Sequence, residues 1–126
     1  MLDQAHGPGK YTVTNLGACG STMLKKGNSP FWERPQYKTL TSNKWDIVVI
    51  MLGTNDAKDP SDRGPNNWQH DCGGPEHTNI SGCSFASDYA DMIRLIKTLG
   101  TSPSGPKIYT QTAPPLMSDG AYGMNR

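Results

Sequence analysis

The sequence predicts an α/β fold in which a parallel sheet is covered by helices. Residues 47–52 and 107–112 are short β-branched or aromatic segments followed by Gly or Pro, as buried parallel strands often are. Between them, residues 84–99 carry apolar side chains at helical spacing. Because strand and helix patterns alternate along the chain, a sheet of parallel strands is favoured over a helical bundle.

The N-terminal half of the chain predicts one further strand and one short helix. Residues 11–15 (Tyr-Thr-Val-Thr-Asn) have strand composition, and residues 16–22 form a Gly-rich turn after them. Ser21 or Thr22 is placed to cap a following helix. Residues 30–43 leave room for a short helix at most. Three apolar side chains of this stretch are expected to face inward: Trp32, Tyr37 and Leu40.

The C-terminal half predicts a long insertion and then the clearest helix. Residues 57–83 are rich in Gly, Pro and Asn, and a loop of this length is uncommon inside a compact domain and often functional. Ser84 would cap the helix, and Gly100 would take the left-handed position that ends it. Pro114 and Pro115 would end the last strand. Six apolar residues mark the buried side of this helix: Phe85, Tyr89, Met92, Ile93, Ile96 and Leu99.

The composition indicates one domain, residues 1–126, with a modest core. Only 34% of the residues are hydrophobic, and the 14 glycines and 10 prolines require that loops make up much of the fold. A net charge of +1 gives no electrostatic reason to expect nucleic acid as a partner. No apolar run approaches the ~20 residues of a membrane span, and the first residues lack the pattern of a signal peptide.

The three cysteines leave the cellular location open. Cys72 and Cys83 could form a disulfide that closes a small loop, stabilising the fold by very roughly 2–3 kcal/mol. Bridged and unbridged states are both compatible with the sequence, and a bridge would favour an extracellular or secretory location. Cys19 is expected to be a small buried hydrophobe rather than a catalytic thiol, because no nearby basic group would favour its thiolate.

Two turns that follow predicted strands carry the residues best suited to chemistry. They are Asn15-Leu-Gly-Ala-Cys-Gly-Ser-Thr22 and Leu52-Gly-Thr-Asn-Asp56. Open α/β sheets bind ligands just beyond the carboxyl ends of their strands. The amide of Asn55 can donate two hydrogen bonds without carrying charge, which suits a developing oxyanion. Either turn alone is also ordinary turn chemistry; the pair after two strands favours a functional site.

Taken together, the two turns resemble the second and third sequence blocks of the SGNH hydrolases, also called the GDSL esterase/lipase family. The resemblance is best to the carbohydrate-esterase-like branch and covers most of residues 11–56 and, more loosely, 84–117. It implies a three-layer, flavodoxin-like parallel sheet that is incomplete in this chain. It also implies that the backbone N–H of Gly20 and the side-chain amide of Asn55 form an oxyanion hole. Asp56 is expected to be structural and to hold Asn55 in place.

The chain departs from that family in lacking two of its blocks. No Gly-Asp-Ser nucleophile block occurs, and neither does the Asp-x-x-His block that supplies the catalytic acid and base. The resemblance therefore implies an internal fragment, with nucleophile and base supplied by segments absent from this chain. The missing first strand of the family would lie between residues 11–15 and 47–52, so another segment or another chain would have to complete the sheet.

The resemblance implies a serine esterase that removes acyl groups, acetyl being expected, from a carbohydrate or similar polar small molecule, without a cofactor. The alternative is a non-catalytic structural or interaction subunit derived from such a hydrolase. A weaker alternative is a carbohydrate-binding module in which Trp68 lines a sugar cleft, although packing of the insertion against the domain is the favoured explanation of Trp68. His70, His77 and Cys72 fit no familiar zinc spacing, and no metal site is expected.

Overall fold

In the part of the chain that the structure describes, two parallel strands and two α-helices form the regular elements. The computed structural model describes residues 7–58 and 83–112. Strand β1 (Ile47–Ile50) and strand β2 (Lys107–Thr110) pair in parallel, with Ile47 opposite Lys107 and Ile50 opposite Thr110. The α/β class predicted from the sequence is thus confirmed at this level. The three-layer architecture remains a prediction, because the described sheet has two strands.

The helices lie before and after β1 in the chain. A one-turn 3-10 helix (Phe31–Glu33) leads into helix α1 (Pro35–Thr41), which begins with proline, a residue well suited to a first turn because it needs no hydrogen-bond partner for its nitrogen. A second 3-10 turn (Asn55–Ala57) follows β1. Helix α2 (Ser84–Lys97) then carries the chain back to the start of β2, as a crossover between parallel strands requires.

The core forms where one side of the sheet meets the helices. Met92 and Ile96 of α2 are each 1% exposed, as their helical spacing predicts. They pack in one cluster with the buried side chains of β1 and α1. The other buried members of the cluster are Met23, Phe31, Leu40, Ile50 and Leu99. Trp32 and Tyr37, predicted to face inward, pack against this cluster as partly buried side chains.

Both ends of α2 differ from the sequence prediction. Cys83 occupies the N-cap position without a side-chain cap, and Ser84 is the first helical residue. Gly100 does not take the left-handed conformation; Gly105 does, at φ 76°. A methyl group at Gly100 would collide with the backbone of Gly105. Glycine is therefore needed at residue 100 because two backbones approach closely there, and not because of its φ angle.

The predicted first strand is wrong. Residues 11–15 form no strand in the described part of the chain, and Val13 is 75% exposed. A strand needs a neighbour for its backbone hydrogen bonds, and no described segment pairs with residues 11–15. Ser21 and Thr22 likewise begin no helix. Thr22 instead forms an isolated bridge with Pro30, which closes residues 22–30 into a loop.

One side of the two-stranded sheet remains uncovered in the described structure. Large apolar side chains at alternate positions of β1 and just after it are exposed, and a tyrosine of β2 lies beside them. These residues are Ile47, Val49, Met51 and Tyr109, all between 46% and 61% exposed. In the described part of the chain, β1 pairs with β2 along one edge, and no strand lies along its other edge. The sheet therefore has a bare apolar face and an open edge.

Most of the insertion lies outside the described residues. The predictions for Trp68, Cys72 and the boundaries of the single domain accordingly stay predictions. Cys83 is buried at the start of α2, at 4% exposure, and its pairing with Cys72 remains a prediction for the same reason. Neither α1 nor α2 is long and apolar enough to cross a membrane.

Ile96 and Ile47 provide a matched test of where the core lies. Ile96→Ala should reduce the free energy of unfolding by about 2–5 kcal/mol, because it leaves a cavity beneath α2. Ile47→Ala makes the same chemical change at a side chain that is 46% exposed, so it should cost clearly less. Urea denaturation followed by circular dichroism measures both. Equal losses for the two variants would contradict this packing.

Candidate functional site

A cleft of about 900 Å³ runs along β1 and past its carboxyl end. Residues 13–21 form one wall, and residues 47–55 form the other. Its deepest part reaches core residues of α2, including Met92 and Ile96. Among the described residues that line it, none is an acid, a lysine or an arginine. The cleft therefore suits an uncharged ligand and offers hydrogen bonds rather than ion pairs.

Asn55 brings the two walls of this cleft together. The strand β1 ends at Ile50, and the chain then turns so that Asn55 begins a one-turn 3-10 helix. The side-chain Nδ2 of Asn55 donates to the backbone carbonyl of Ser21 at 3.1 Å. One amide hydrogen is used in this bond, and no described residue accepts the second. Asn55 thus combines a fixed position with a remaining donor that lines the cleft.

Gly20 lies on the opposite wall, directly before Ser21. Its φ of 76° is left-handed, which a turn at this point requires and glycine permits. A Cβ built on Gly20 would meet no other atom within 4 Å, so the space beside its backbone is open. The N–H of Ser21 donates to the carbonyl of Ala18 at 3.2 Å, and the N–H of Gly17 donates to Asn15 Oδ1 at 2.9 Å. These bonds shape the turn while no described residue accepts the N–H of Gly20.

Asp56 adds two hydrogen bonds that join residues 53–57 to residues 19–24, the longer turn that contains Gly20. Its side chain is fully buried, and the N–H groups of Met23 and Leu24 donate to Oδ2 and Oδ1 at 2.9 and 2.8 Å. Burial raises the pKa of Asp56 to about 6, while the donated hydrogen bonds oppose that rise. The expectation that Asp56 holds Asn55 in place misses its larger contact, which is with the turn that carries Gly20.

Trp32 and Arg34, from the 3-10 helix before α1 and the residue that follows it, also bond to the turn that carries Gly20. Arg34 Nε donates to Ser21 Oγ at 3.2 Å, and the Arg34 guanidinium also bonds to Ser29. Trp32 Nε1 donates to the carbonyl of Met23 at 2.7 Å. The hydroxyl of Ser21 is therefore engaged by a cation in a fully buried place, which is not the environment of an attacking nucleophile.

Lys25 ties the loop to helix α2. Its backbone N–H donates to Asp88 Oδ2 at 2.9 Å, and its ammonium pairs with Asp91 and lies 3.5 Å from Asp88 Oδ1. The ammonium also sits 4.6 Å from the centre of the Trp32 ring. The hydrogen bond to Asp91 raises the pKa of Lys25, and the same bond lowers the pKa of Asp91. Nothing in the local sequence around Lys25 pointed to this connection.

The structure brings Gly20 and Asn55 to one cleft and corrects one neighbouring prediction. Cys19 is exposed and free, not buried as predicted, because the turn places it on the cleft wall beside Gly20. His70, His77 and Trp68 lie outside the described residues. Among residues 7–58 and 83–112, no group of three His, Cys, Asp or Glu side chains is placed to hold a metal ion.

Comparison with known proteins gives a chemical class for a relative. The chain is 32% identical over 119 residues to an acetylxylan esterase of Xylanibacter ruminicola. It resembles a carbohydrate esterase. The match takes in 83% of this chain but 21% of the relative, so the chain spans about a fifth of that protein's length. No family model and no solved structure matches the chain.

The raised pKa of Asp56 predicts a specific dependence of stability on pH. The folded state binds this proton more tightly than the unfolded chain, whose carboxyl has a pKa of 3.8. The stability that Asp56 contributes is therefore fully present below pH 3.8 and is lost as the pH rises to about 6. The free energy of unfolding of the wild type, relative to Asp56→Asn, should fall by at most about 3 kcal/mol between pH 4 and 7. Urea denaturation at stepped pH measures this difference, and a flat difference would contradict it.

Proposed function

We propose that this chain is part of an SGNH-type carbohydrate esterase and supplies two donors of its oxyanion hole. The reaction is hydrolysis of an acyl ester, acetyl being expected, on a carbohydrate or similar polar molecule. The observation that carries the proposal is the hydrogen bond from Asn55 to Ser21, which joins the turn of Asn55 to the turn of Gly20 at one cleft. The similarity to an acetylxylan esterase supports the substrate class.

The chemistry requires neutral donors that are fixed before the reaction begins. Attack on an ester carbonyl produces a tetrahedral intermediate whose oxygen carries a full negative charge. The remaining amide hydrogen of Asn55 and the N–H of Gly20 are uncharged donors on facing walls of an uncharged cleft. Charge on the oxygen is then stabilised without a competing cation, and one such donor contributes ~2.7–4 kcal/mol in a well-studied protease.

The remaining catalytic groups come from outside this chain in this proposal. A serine oxygen attacks the carbonyl carbon while a histidine takes the serine proton, and the same histidine then protonates the departing sugar oxygen. Water, deprotonated by the histidine, attacks the acyl-enzyme and releases the acid. Ser21, which lies nearest to Asn55, is excluded as the nucleophile because its hydroxyl is buried and bonded to Arg34.

The bare face and open edge of the sheet support a second part of the proposal. A further strand, from another segment or another chain, would pair with the free edge of β1. The apolar exposure of Ile47, Val49 and Met51 indicates that the added layer would be apolar too.

The same apolar face favours one alternative, a non-catalytic interaction subunit. In that case partner side chains would fill the cleft at Asn55, and no substrate would reach the donors. The two functions differ in whether a serine and a histidine approach Asn55 in the complete assembly. A structure of the full-length protein that contains this chain separates them directly.

Asn55→Ala tests the proposed oxyanion hole. In the full-length protein, kcat for acetate release from an acetylated xylo-oligosaccharide should fall by ~100–1000-fold, because one donor to the oxyanion is lost. Asn43→Ala is the matched control, since the Asn43 amide donates to the exposed carbonyl of Thr39 at the end of α1. Its kcat should be unchanged. Full turnover by the Asn55 variant would refute the role given to Asn55.

Val49→Lys tests whether the apolar face is covered in the complete protein. Val49 is 61% exposed here, so a lysine is tolerated unless another layer packs on it. If the proposed layer is present, burying the ammonium should lower the free energy of unfolding by about 2 kcal/mol or more. Thr39→Lys, on the exposed side of α1, is the control and should change it by less than about 0.5 kcal/mol. Equal, small effects in the full-length protein would argue against the added layer.

A further inference from the structure

We propose that Asp56 is a positioning residue for the oxyanion hole, which sets where the N–H of Gly20 lies relative to the amide of Asn55. The inference rests on the proposed function and adds a residue that does not itself touch the substrate. Its carboxylate acts across the molecule, on residues 32 and 33 positions earlier in the chain. It thereby connects the two turns that must meet for the donors to point at one oxygen.

Three hydrogen bonds cross between the two turns, and Asp56 accepts two of them. They are Met23 N–H to Oδ2 at 2.9 Å, Leu24 N–H to Oδ1 at 2.8 Å, and Asn55 Nδ2 to the Ser21 carbonyl at 3.1 Å. Because the carboxylate is planar and uses both oxygens, the two backbone amides are held at a fixed separation. The turn is therefore oriented as well as attached.

The bonds to Asp56 act on Gly20 through the residues that follow it. The backbone of Gly20 is left-handed, and a Cβ at this position would meet nothing within 4 Å, so no side-chain packing fixes it. The turn around it is closed by the Ser21 N–H, which donates to the Ala18 carbonyl at 3.2 Å. Beyond it, Ser21 is held by Asn55 and Arg34, the Thr22 N–H donates to the Ser29 carbonyl at 3.0 Å, and the N–H groups of Met23 and Leu24 bond to Asp56.

Charged residues near Asp56 bear on its protonation, and one of them acts on its pKa. Asp88 of α2 is the charge that acts on it and raises its pKa, after the larger effect of burial. Lys25, on the loop, is paired with Asp88 and Asp91, and Arg34 is bonded to Ser21 and Ser29. On its own turn Lys58 is the nearest charged residue in sequence. The bonds that the Asp56 oxygens accept from other residues come from backbone N–H groups, so ionisation alters those bonds directly.

Protonation of Asp56 should loosen the connection between the turns. The ionised carboxylate accepts one N–H on each oxygen, whereas a protonated carboxyl places its own hydrogen on one of them. One of the two amide bonds is then weakened, and the turn that carries Gly20 is held at one point instead of two. A purely local role for Asp56 would leave Gly20 and the Asn55 side chain unaffected.

A pH titration of the wild-type protein, labelled with ¹⁵N at Gly, Met, Leu and Asn, tests this connection without any variant. Between pH 8 and 5, the amides of Met23 and Leu24 should shift with a midpoint near 6. The Gly20 amide and the Asn55 side-chain amide should shift with the same midpoint. If Met23 and Leu24 titrate while Gly20 and Asn55 stay still, the positioning role is wrong.

Asp56→Asn adds a kinetic test in the full-length protein. The side chain keeps its size, but its NH₂ group faces one of the two backbone N–H donors, so one bond is lost. We expect kcat to fall by about 10–100-fold with KM changed by less than about threefold, and the common titration of Gly20 and Asn55 to disappear. Asp46→Asn, at an exposed carboxylate away from both turns, is the control and should retain wild-type kcat.

The outcomes separate this inference from the proposed function. If Asn55→Ala keeps full activity, the oxyanion hole is wrong, whatever the titration of Gly20 shows. If Asn55→Ala loses activity while Asp56→Asn keeps it and Gly20 does not titrate, only the positioning role fails. Should Asp56→Asn fail to fold, the wild-type titration alone decides, because it requires no substitution.

Discussion

The contact between two turns, residues 19–24 and 53–57, is the constraint on which the rest of this structure depends. It places a fully buried carboxylate, Asp56, against two backbone N–H groups. Burying a carboxylate is costly unless its oxygens are hydrogen-bonded, so these bonds can be satisfied only when the two turns are together.

Local patterns were sufficient to predict the elements that find their packing or pairing partners within the described structure. Helix α2 was predicted because its apolar spacing matches the face that it buries, and β1 and β2 were predicted because each is a short segment with strand composition. The strand at residues 11–15 could not be judged in the same way. A strand is stable only beside a partner, and the described sheet offers none to that segment. Gly100 was misread because its need for glycine arises from contact with Gly105, not from the helix it follows.

In the candidate site, too, residues in short local motifs could be predicted from the sequence, whereas residues that act through distant contacts could not. Gly20 and Asn55 could be named as candidate donors from the sequence because they occupy short motifs that follow predicted strands, and their role as donors stays a prediction. The partners of Asp56 could not, since its contacts with Met23 and Leu24 span more than 30 residues and follow no periodicity. Arg34 was missed for a similar reason: its contact with Ser21 depends on how the loop folds back. Sequence identifies the candidate donors, while the groups that hold them require coordinates.

The open edge of β1 and the water-accessible cleft are connected, because covering the first would also exclude water from the second. Oxyanion donors act strongly only where water is excluded, because bulk water screens the charge they stabilise. A cleft of about 900 Å³ with one bare apolar flank does not by itself exclude water. The strand proposed to pair with β1 would narrow the cleft, and the apolar layer proposed to pack on the bare face would cover that flank. In an esterase of this type, the segment that completes the sheet would therefore also create the low-dielectric surroundings that Gly20 and Asn55 need.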